Sequence, residues 1–139
     1  MDKTERADLA NALIGARIKA GMDGRVTGFG EMLAQFMAKT GYTCKTLAPI
    51  ANMSDRTIRR MKCDSDYRPT REMVISVCVA MKLSIYESRA LLRKSPYRLR
   101  EDSPADVPYL RILEHEGKYS VDEWNKVLRD IGEKTLGCS

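Results

Sequence analysis

Histidine is almost absent from this sequence, and its scarcity excludes much metal and acid–base chemistry. The only histidine, His115, has no cysteine at the spacing of a zinc site, and no C-x-x-C pair occurs. No flanking motif joins it to a cysteine as a base to its nucleophile. We therefore expect no metal, no cofactor and no enzyme activity. Four widely separated cysteines are interpreted as reduced thiols: Cys44, Cys63, Cys78 and Cys138.

A phosphate-binding glycine loop is also missing. The segment GMDGRVTGFG, residues 21–30, has no preceding strand and lacks the lysine and the serine or threonine that end such a loop. Residues 20–30 nevertheless contain four glycines. This stretch therefore predicts a flexible joint that interrupts the helical pattern on either side of it.

Long apolar runs are missing as well. No stretch approaches the roughly 20 consecutive apolar residues that a membrane-spanning helix needs. The N-terminal region mixes charged residues with short apolar runs, unlike the apolar core of a secretion signal. We expect a cytoplasmic protein that makes no contact with a membrane.

Acidic residues are scarce in the first hundred positions and abundant afterwards. Residues 1–100 hold 19 Lys and Arg against 10 Asp and Glu, a net charge of +9. Residues 101–139 hold 5 against 9, a net charge of −4, and the two parts give the total of +5. A basic body favours a polyanionic partner, whereas the acidic C-terminal segment is better suited to protein contacts.

Two helices are predicted on either side of the glycine-rich stretch. Residues 4–20 give an amphipathic pattern that begins at Thr4 as the N-cap. Its apolar side carries Leu9, Leu13 and Ala16. From Glu31, apolar residues recur at helical spacing as far as Gly41, which predicts a helix with one buried face and a glycine stop.

The segment NMSDRTIRRMK, residues 52–62, predicts a strongly basic helix. Ser54 is a good N-cap, and Asp55 places a carboxylate in the first turn, where the helix dipole favours negative charge. At about 100° per residue, Ile58 and Met61 fall on one arc and face a core. The opposite arc carries Arg56, Arg59 and Arg60. Such a charged face is usually only a solvated surface, so the context has to decide its role.

The remaining segments complete an all-α pattern. Thr70 caps a helix that is apolar nearly all round, and this pattern predicts a central, buried element. Its β-branched residues would also suit a strand, but the sequence offers no second strand to pair with it. The motifs SIYE at residues 84–87 and SVDE at 120–123 are capping boxes, and Gly132 ends the last helix. A proline-punctuated linker, residues 95–108, precedes the final pair of helices.

The order of these elements resembles the lambda-repressor-like (Cro/C1, or XRE) helix-turn-helix domain. The matching positions are Thr43, Leu47, Ala48, Met53, Ser54, Thr57 and Ile58, followed by RPTREMVISVCVAMKLS, which is similar to the family's proline, apolar fourth helix and exit through a leucine and a serine. The resemblance covers about half of the chain and implies a five-helix domain at residues 30–96. An N-terminal helical extension with a joint at 1–29 and a C-terminal helical pair at 97–139 would flank it.

The resemblance also implies where DNA would bind, because the third helix of such domains lies in the major groove and the second crosses the backbone. The positions that face bases are Asp55, Arg56, Arg59 and Arg60. An arginine fork suits guanine O6 and N7, whereas Asp55 either accepts from a cytosine amino group or only caps its helix. The positions assigned to the DNA backbone are Thr43, Cys44, Lys45, Ser54, Thr57, Lys62, Arg68 and Arg71.

Three departures from the family pattern affect the motif itself, and the first is Cys44, which stands where a glutamine is common. Asn52 stands where the turn usually has glycine, but asparagine tolerates the left-handed conformation that a turn requires. Pro49 lies inside the short second helix, where it removes one backbone donor and should distort or shorten the helix.

A further basic cluster comprises Arg89, Arg93, Lys94, Arg98 and Arg100. It is either a solvated face or a flank that contacts phosphates.

The final helices carry apolar residues at helical spacing. They either pack back onto the domain or form an interface, for which the candidates are Tyr109, Leu113, Trp124 and Leu128. Such an interface would make a homodimer that binds a two-fold DNA site, with Trp124 as its anchor. We expect a sequence-specific regulator of transcription that represses by occupying a promoter on double-stranded DNA. The alternative is a helix-turn-helix protein-interaction module, or an antitoxin, that binds a protein partner through the acidic C-terminal helices.

Overall fold

A computed structural model describes residues 2–22 and 28–138, and this part of the chain consists of eight α-helices without a β-strand. The helices are α1 (Lys3–Met22), α2 (Phe29–Thr40), α3 (Cys44–Ile50), α4 (Asp55–Cys63), α5 (Arg71–Ala80), α6 (Ile85–Lys94), α7 (Val107–Glu114) and α8 (Val121–Asp130). The predicted all-α class is confirmed. Of the predicted flexible joint, residues 20–30, residues 23–27 lie outside the described residues, whereas residues 20–22 belong to α1 and residues 29–30 to α2.

Hydroxyl side chains cap the N-terminal ends of five of these helices, among them Ser54, Thr70, Ser84 and Ser120 as the sequence predicts. Each cap hydroxyl accepts a hydrogen bond from the backbone N–H three residues later. The caps are Thr43, Ser54, Thr70, Ser84 and Ser120. At the other end, Gly41 after α2 and Gly132 after α8 adopt positive φ angles of 81° and 75°. Short-range hydrogen bonds therefore fix most helix boundaries.

Helix α5 lies at the centre of the fold. Its residues 73–80 are all buried, and it packs against α3, α6, α7 and α8. Fully burying a Val or Ile side chain stabilises the folded state by about 1.5–3 kcal/mol, so this helix is a main contributor to the core. The predicted central position is confirmed.

The close contact between α2 and α4 depends on Gly30. A Cβ atom at this position would lie 2.3 Å from the backbone oxygen of Lys62, far inside van der Waals contact. Because glycine has no Cβ, α2 can approach the last turn of α4 backbone to backbone. The contact fixes the C-terminal end of α4 relative to the core that α2 forms with Met32, Leu33 and Phe36.

Helices α7 and α8 belong to the same core as the preceding helices, so residue 97 does not mark a boundary in it. Leu113 and Leu128 lie in one cluster of buried side chains with Phe36 and Val74. The linker is also attached, because the Tyr97 hydroxyl donates to the backbone oxygen of Pro69 over 2.8 Å. Of the two alternatives for the final helices, packing onto the domain is the one that the structure shows.

Helix α1 differs in detail from its prediction. Asp2 caps it instead of Thr4, because an Asp2 carboxylate oxygen accepts from the Glu5 N–H over 2.7 Å. Leu9 and Leu13, on its apolar side, are 50% and 73% exposed, so they are not part of the core. The third residue predicted on that side, Ala16, has a side chain outside the description. Helix α1 lies against α2.

Within residues 2–22 and 28–138, every helix is too short or too polar to cross a membrane.

Candidate nucleic-acid interface

Helix α4 has one buried face and one charged face. Ile58 and Met61 are 0% and 3% exposed, and they anchor the helix in the core beside α2 and α3. The arginine face, which comprises Arg56, Arg59 and Arg60, points away from that core into solvent. The predicted division of this helix into two arcs is therefore confirmed.

The three arginines differ in what holds them. Arg59 lies 3.7 Å from the Asp55 carboxylate one turn earlier, an exposed pair worth only about 0.3–0.5 kcal/mol. Arg60 reaches the ring of Tyr67, 4.5 Å from its centre. Arg56 makes no hydrogen bond or ion pair with any described residue. Because none of these contacts is strong, each guanidinium can turn toward a nucleic acid at little cost.

Tyr67 supports Arg60 without adding a charge. Burial is the main cause that raises the pKa of the Tyr67 hydroxyl above its ordinary value, so the ring stays neutral. Its hydroxyl lies 3.9 Å from the sulfur of Met73. The loop after α4 therefore offers the Arg60 guanidinium an aromatic surface, a contact worth about 0.5–1 kcal/mol where solvent is near.

The residues assigned to the DNA backbone around α3 and the start of α4 lie at two helix N-termini. Thr43 forms a capping box with Thr46, and Lys45 is exposed in the first turn of α3. Cys44 is half-buried and packs against the core. Ser54 and Thr57 share a hydroxyl contact of 2.8 Å in the first turn of α4. The exposed N-terminal ends of α3 and α4 suit contacts with phosphates, which backbone N–H groups and helix dipoles attract.

A groove of about 640 Å³ lies beside the C-terminal end of α4. Its lining includes three cationic side chains from three different elements: Lys62 of α4, Arg68 of the following loop and Lys94 of α6. Glu31 and Asp64 also line it, but Asp64 lies 4.0 Å from Arg60 as an ion-pair partner. Lys94 thus joins the two residues predicted to contact phosphates. The sequence alone left this lysine open, because it follows α4 by more than thirty positions.

Three other members of the second basic cluster, Arg89, Arg98 and Arg100, are engaged elsewhere. Arg100 makes two hydrogen bonds with Asp102, of 3.1 and 2.9 Å, and Arg98 donates to backbone oxygens of residues 95 and 97. Arg89 lies 3.8 Å from Glu101. These contacts favour the interpretation of this part of the cluster as a solvated, self-paired surface.

Arg71 is not available for a phosphate, contrary to its assignment. Its guanidinium donates to Asp106 over 2.7 Å and to Glu72 over 3.2 Å, and it lies 4.4 Å from the ring centre of Tyr109. Its side chain is only 22% exposed. Two carboxylates and an aromatic ring already occupy it, so Arg71 joins α5 to α7 inside the protein.

The prediction of an interface is wrong for three of its four residues. Tyr109, Leu113 and Leu128 are 0%, 2% and 1% exposed, so they are core residues and cannot meet a partner. The Tyr109 hydroxyl also donates to the backbone oxygen of Lys134 over 2.8 Å. Trp124 is half-buried, and its ring packs edge-on against His115 and Tyr119 at centroid distances of 5.1 and 5.4 Å. Helical spacing marks an apolar face but not what covers it.

Next to Trp124, two further apolar residues are exposed, one on α8 and one at its C-cap. Val127 and Ile131 are 48% and 58% exposed, one turn apart on the same side of the helix. Trp124 also has a buried ring N–H without a hydrogen-bond partner in the structure. Trp124, Val127 and Ile131 therefore form an apolar strip that a second molecule can reach.

The part of the chain that the structure describes contains no group of histidine, cysteine and carboxylate side chains able to hold a metal ion. Comparison of the chain with protein-family models, with curated proteins and with solved structures finds no match.

Proposed function

We propose that this chain is a sequence-specific DNA-binding regulator of transcription, in which residues 30–96 form a lambda-repressor-like helix-turn-helix domain. Helix α3 would cross the DNA backbone, and α4 would enter the major groove. Repression follows if the bound protein occupies a promoter. The fold-family assignment is part of this proposal, since it depends on the order and chemistry of the helices.

The observation that carries the proposal is the arginine face of α4. A short helix follows another after a four-residue turn, buries Ile58 and Met61, and directs Arg56, Arg59 and Arg60 into solvent. Each guanidinium can donate two hydrogen bonds to a guanine edge or to a phosphate, and a good base contact contributes about 1–3 kcal/mol of discrimination. Lys62, Arg68 and Lys94 extend the positive charge along one end of α4 and would neutralise phosphates.

A homodimer would place two copies of α4 on successive major grooves of a two-fold site. The apolar strip of Trp124, Val127 and Ile131 supports such an interface, since those three side chains share one side of α8. The same strip supports the second candidate function, a protein-interaction module or antitoxin that binds a different protein. Sedimentation equilibrium distinguishes them, because only self-association shifts the mass of the isolated chain with its concentration.

The experiment that tests DNA recognition begins with selection from a pool of random duplexes. Fluorescence anisotropy then compares the selected duplex with a shuffled duplex of the same composition across a salt series. We expect a preference of about a thousandfold and a steep decrease of affinity with salt. If no sequence is enriched and both duplexes bind equally, the chain does not recognise DNA by sequence.

Variants of the arginine face sharpen this experiment. Arg59→Ala should reduce the ratio of selected to shuffled affinity by about tenfold or more, because it removes a base contact. Arg129→Ala removes an exposed arginine from α8 and serves as the matched control, with an unchanged ratio. An unchanged ratio in Arg59→Ala would remove Arg59 from the base-contacting residues.

A further inference from the structure

The turn between α3 and α4, residues 51–54, is held by a segment that lies more than eighty residues later. The return segment, residues 133–138, leaves α8 and comes back to this turn. The Asn52 side-chain amide donates to the backbone oxygen of Leu136 over 3.0 Å. In the opposite direction, the Cys138 N–H donates to the backbone oxygen of Asn52 over 2.9 Å. These two hydrogen bonds fasten the return segment to the residue with positive φ, 55°, at the centre of the turn.

A second asparagine holds the same segment from the other side. Asn125 of α8 is 4% exposed, and its side-chain oxygen accepts from the Leu136 N–H over 2.7 Å. Its amide donates to the Leu136 oxygen over 3.2 Å, so this oxygen accepts from both asparagines. The Leu136 side chain is 0% exposed in the core. The Leu136 backbone therefore joins α8 to the turn. Its buried side chain anchors the return segment in the core.

The approach is close enough to require glycine at position 137. Gly137 has a φ of 87°, and a Cβ there would lie 2.5 Å from the Asn52 oxygen and 2.6 Å from the Ala51 oxygen. The Ser76 hydroxyl of α5 also donates to the Ala51 oxygen. The turn is therefore fixed from two directions, by α5 beneath it and by the return segment beside it.

We propose that Asn52 and Asn125 are positioning residues for DNA recognition, which act through Leu136 to fix the turn and hence the pose of α4. The proposal rests on the proposed function. Its physical basis is that the turn determines the angle between α3 and α4, and α4 itself has only two buried side chains, Ile58 and Met61. A base-reading helix must hold its donors close to the productive geometry. The buried amide of Asn125 would be costly without partners, and its paired hydrogen bonds specify one arrangement.

The test uses two glycines that share a left-handed backbone conformation but differ in their neighbours. Gly137→Ala pushes against the turn, whereas Gly132→Ala, at a φ of 75°, meets nothing within 4 Å. Both substitutions introduce the same kind of left-handed strain, so Gly132→Ala controls for a general loss of stability. Asn52→Asp is a second variant that keeps the turn conformation and replaces the donated hydrogen bond by repulsion between the carboxylate and the Leu136 oxygen.

Two measurements are made on each variant. Amide hydrogen exchange should be at least tenfold faster for residues 53–58 in Gly137→Ala and Asn52→Asp, while the amides of α5 keep their protection. The ratio of selected to shuffled DNA affinity should fall at least fivefold in the same two variants and stay unchanged in Gly132→Ala. In Gly137→Ala the affinity for shuffled DNA should not change, because the substitution leaves every charge in place, whereas the carboxylate of Asn52→Asp adds repulsion toward phosphates that lowers both affinities.

The proposal and the function on which it rests can fail separately. If the wild-type chain does not discriminate between duplexes, the proposed function fails, and positioning for DNA recognition fails with it. If the wild type prefers the selected duplex but Gly137→Ala and Asn52→Asp keep the same ratio of selected to shuffled affinity, only the positioning role is overturned. Unchanged exchange at residues 53–58 in both variants also overturns it, because the return segment then does not hold the turn.

Discussion

Arg71 and Tyr109 connect the basic part of the chain to the acidic part, with the guanidinium 4.4 Å from the centre of the aromatic ring. Asp106 completes the contact through a hydrogen bond of 2.7 Å to the same guanidinium. Burial raises the pKa of the Tyr109 hydroxyl more than the charge of Arg71 lowers it, so Tyr109 remains a neutral donor. An arginine that the sequence assigns to DNA therefore holds α5 and α7 together.

Arg71→Ala should destabilise the fold by about 2 kcal/mol, because the half-buried carboxylate of Asp106 would lose its cationic hydrogen-bond partner. Urea unfolding followed by circular dichroism measures this change. Arg68→Ala removes an arginine from the neighbouring loop, where it only donates to the Ser65 oxygen, and should cost less than about 0.5 kcal/mol. Equal losses in the two variants would contradict the connecting role of Arg71.

Lys94→Ala should reduce the salt dependence of DNA binding. Each phosphate contact contributes about 0.9 to the slope of log affinity against log salt, so the slope should become less steep by about that amount for every sequence alike. Arg68→Ala should have the same effect, since both residues line the groove at the end of α4. Anisotropy at four or more salt concentrations measures the slope.

Arg100→Ala is the control for Lys94, because the Arg100 guanidinium is occupied by Asp102. Its slope should equal that of the wild type. If the salt slope became less steep in Arg100→Ala by as much as in Lys94→Ala, the groove would have no special role and the slope would report only the total charge.

The ion pair between Lys39 and Glu87 predicts a pH-dependent contribution to stability. Burial alone would raise the pKa of Glu87, but hydrogen bonds from Lys39 and Ser84 outweigh it, and the folded-state pKa lies below its ordinary value. The contribution is therefore fully present above the unfolded pKa of about 4.3 and is lost as the pH falls through the folded pKa. From pH 5 to 7 the free energy of unfolding of the wild type should be about 1 kcal/mol larger than that of Glu87→Gln. This difference should shrink below about pH 4.

Urea unfolding across pH 3–7 checks this prediction. The matched control is Glu101→Gln, which removes an exposed carboxylate 3.8 Å from Arg89 and should change stability by less than about 0.5 kcal/mol. A difference for Glu87→Gln that grows on acidification would have the wrong sign for a carboxylate whose pKa is lowered by folding.

The sequence predicts the helices of this fold well because their boundaries depend on neighbours three residues away. Ser84 and Ser120 are examples, since each pairs with a glutamate within its own first turn. The positive φ of Asn52 is a similarly local property, and the expected tolerance of asparagine for this conformation is confirmed. Pro49 lies next to the last residue of the seven-residue helix α3, in keeping with the expected shortening.

The candidate site could be predicted only in part. The two arcs of α4 follow from its own spacing, whereas the partners of Arg71 and Asn52 lie 35 and 84 positions away. No local pattern shows that the first residue of α5, Arg71, meets Asp106 or that the turn asparagine meets Leu136. For the same reason, the spacing of Tyr109 and Leu128 indicated an apolar face but did not distinguish a core from an interface.

During synthesis, the turn before α4 can reach its final structure only after the return segment has been made. Helix α4 leaves the ribosome long before Leu136, because 84 positions separate that residue from Asn52. A nascent chain would therefore carry the three arginines of α4 before the turn that orients them is closed. If the proposed function holds, attraction to nucleic acid, which depends only on charge, would precede sequence selectivity, which by the proposed role of Asn52 depends on the ordered turn.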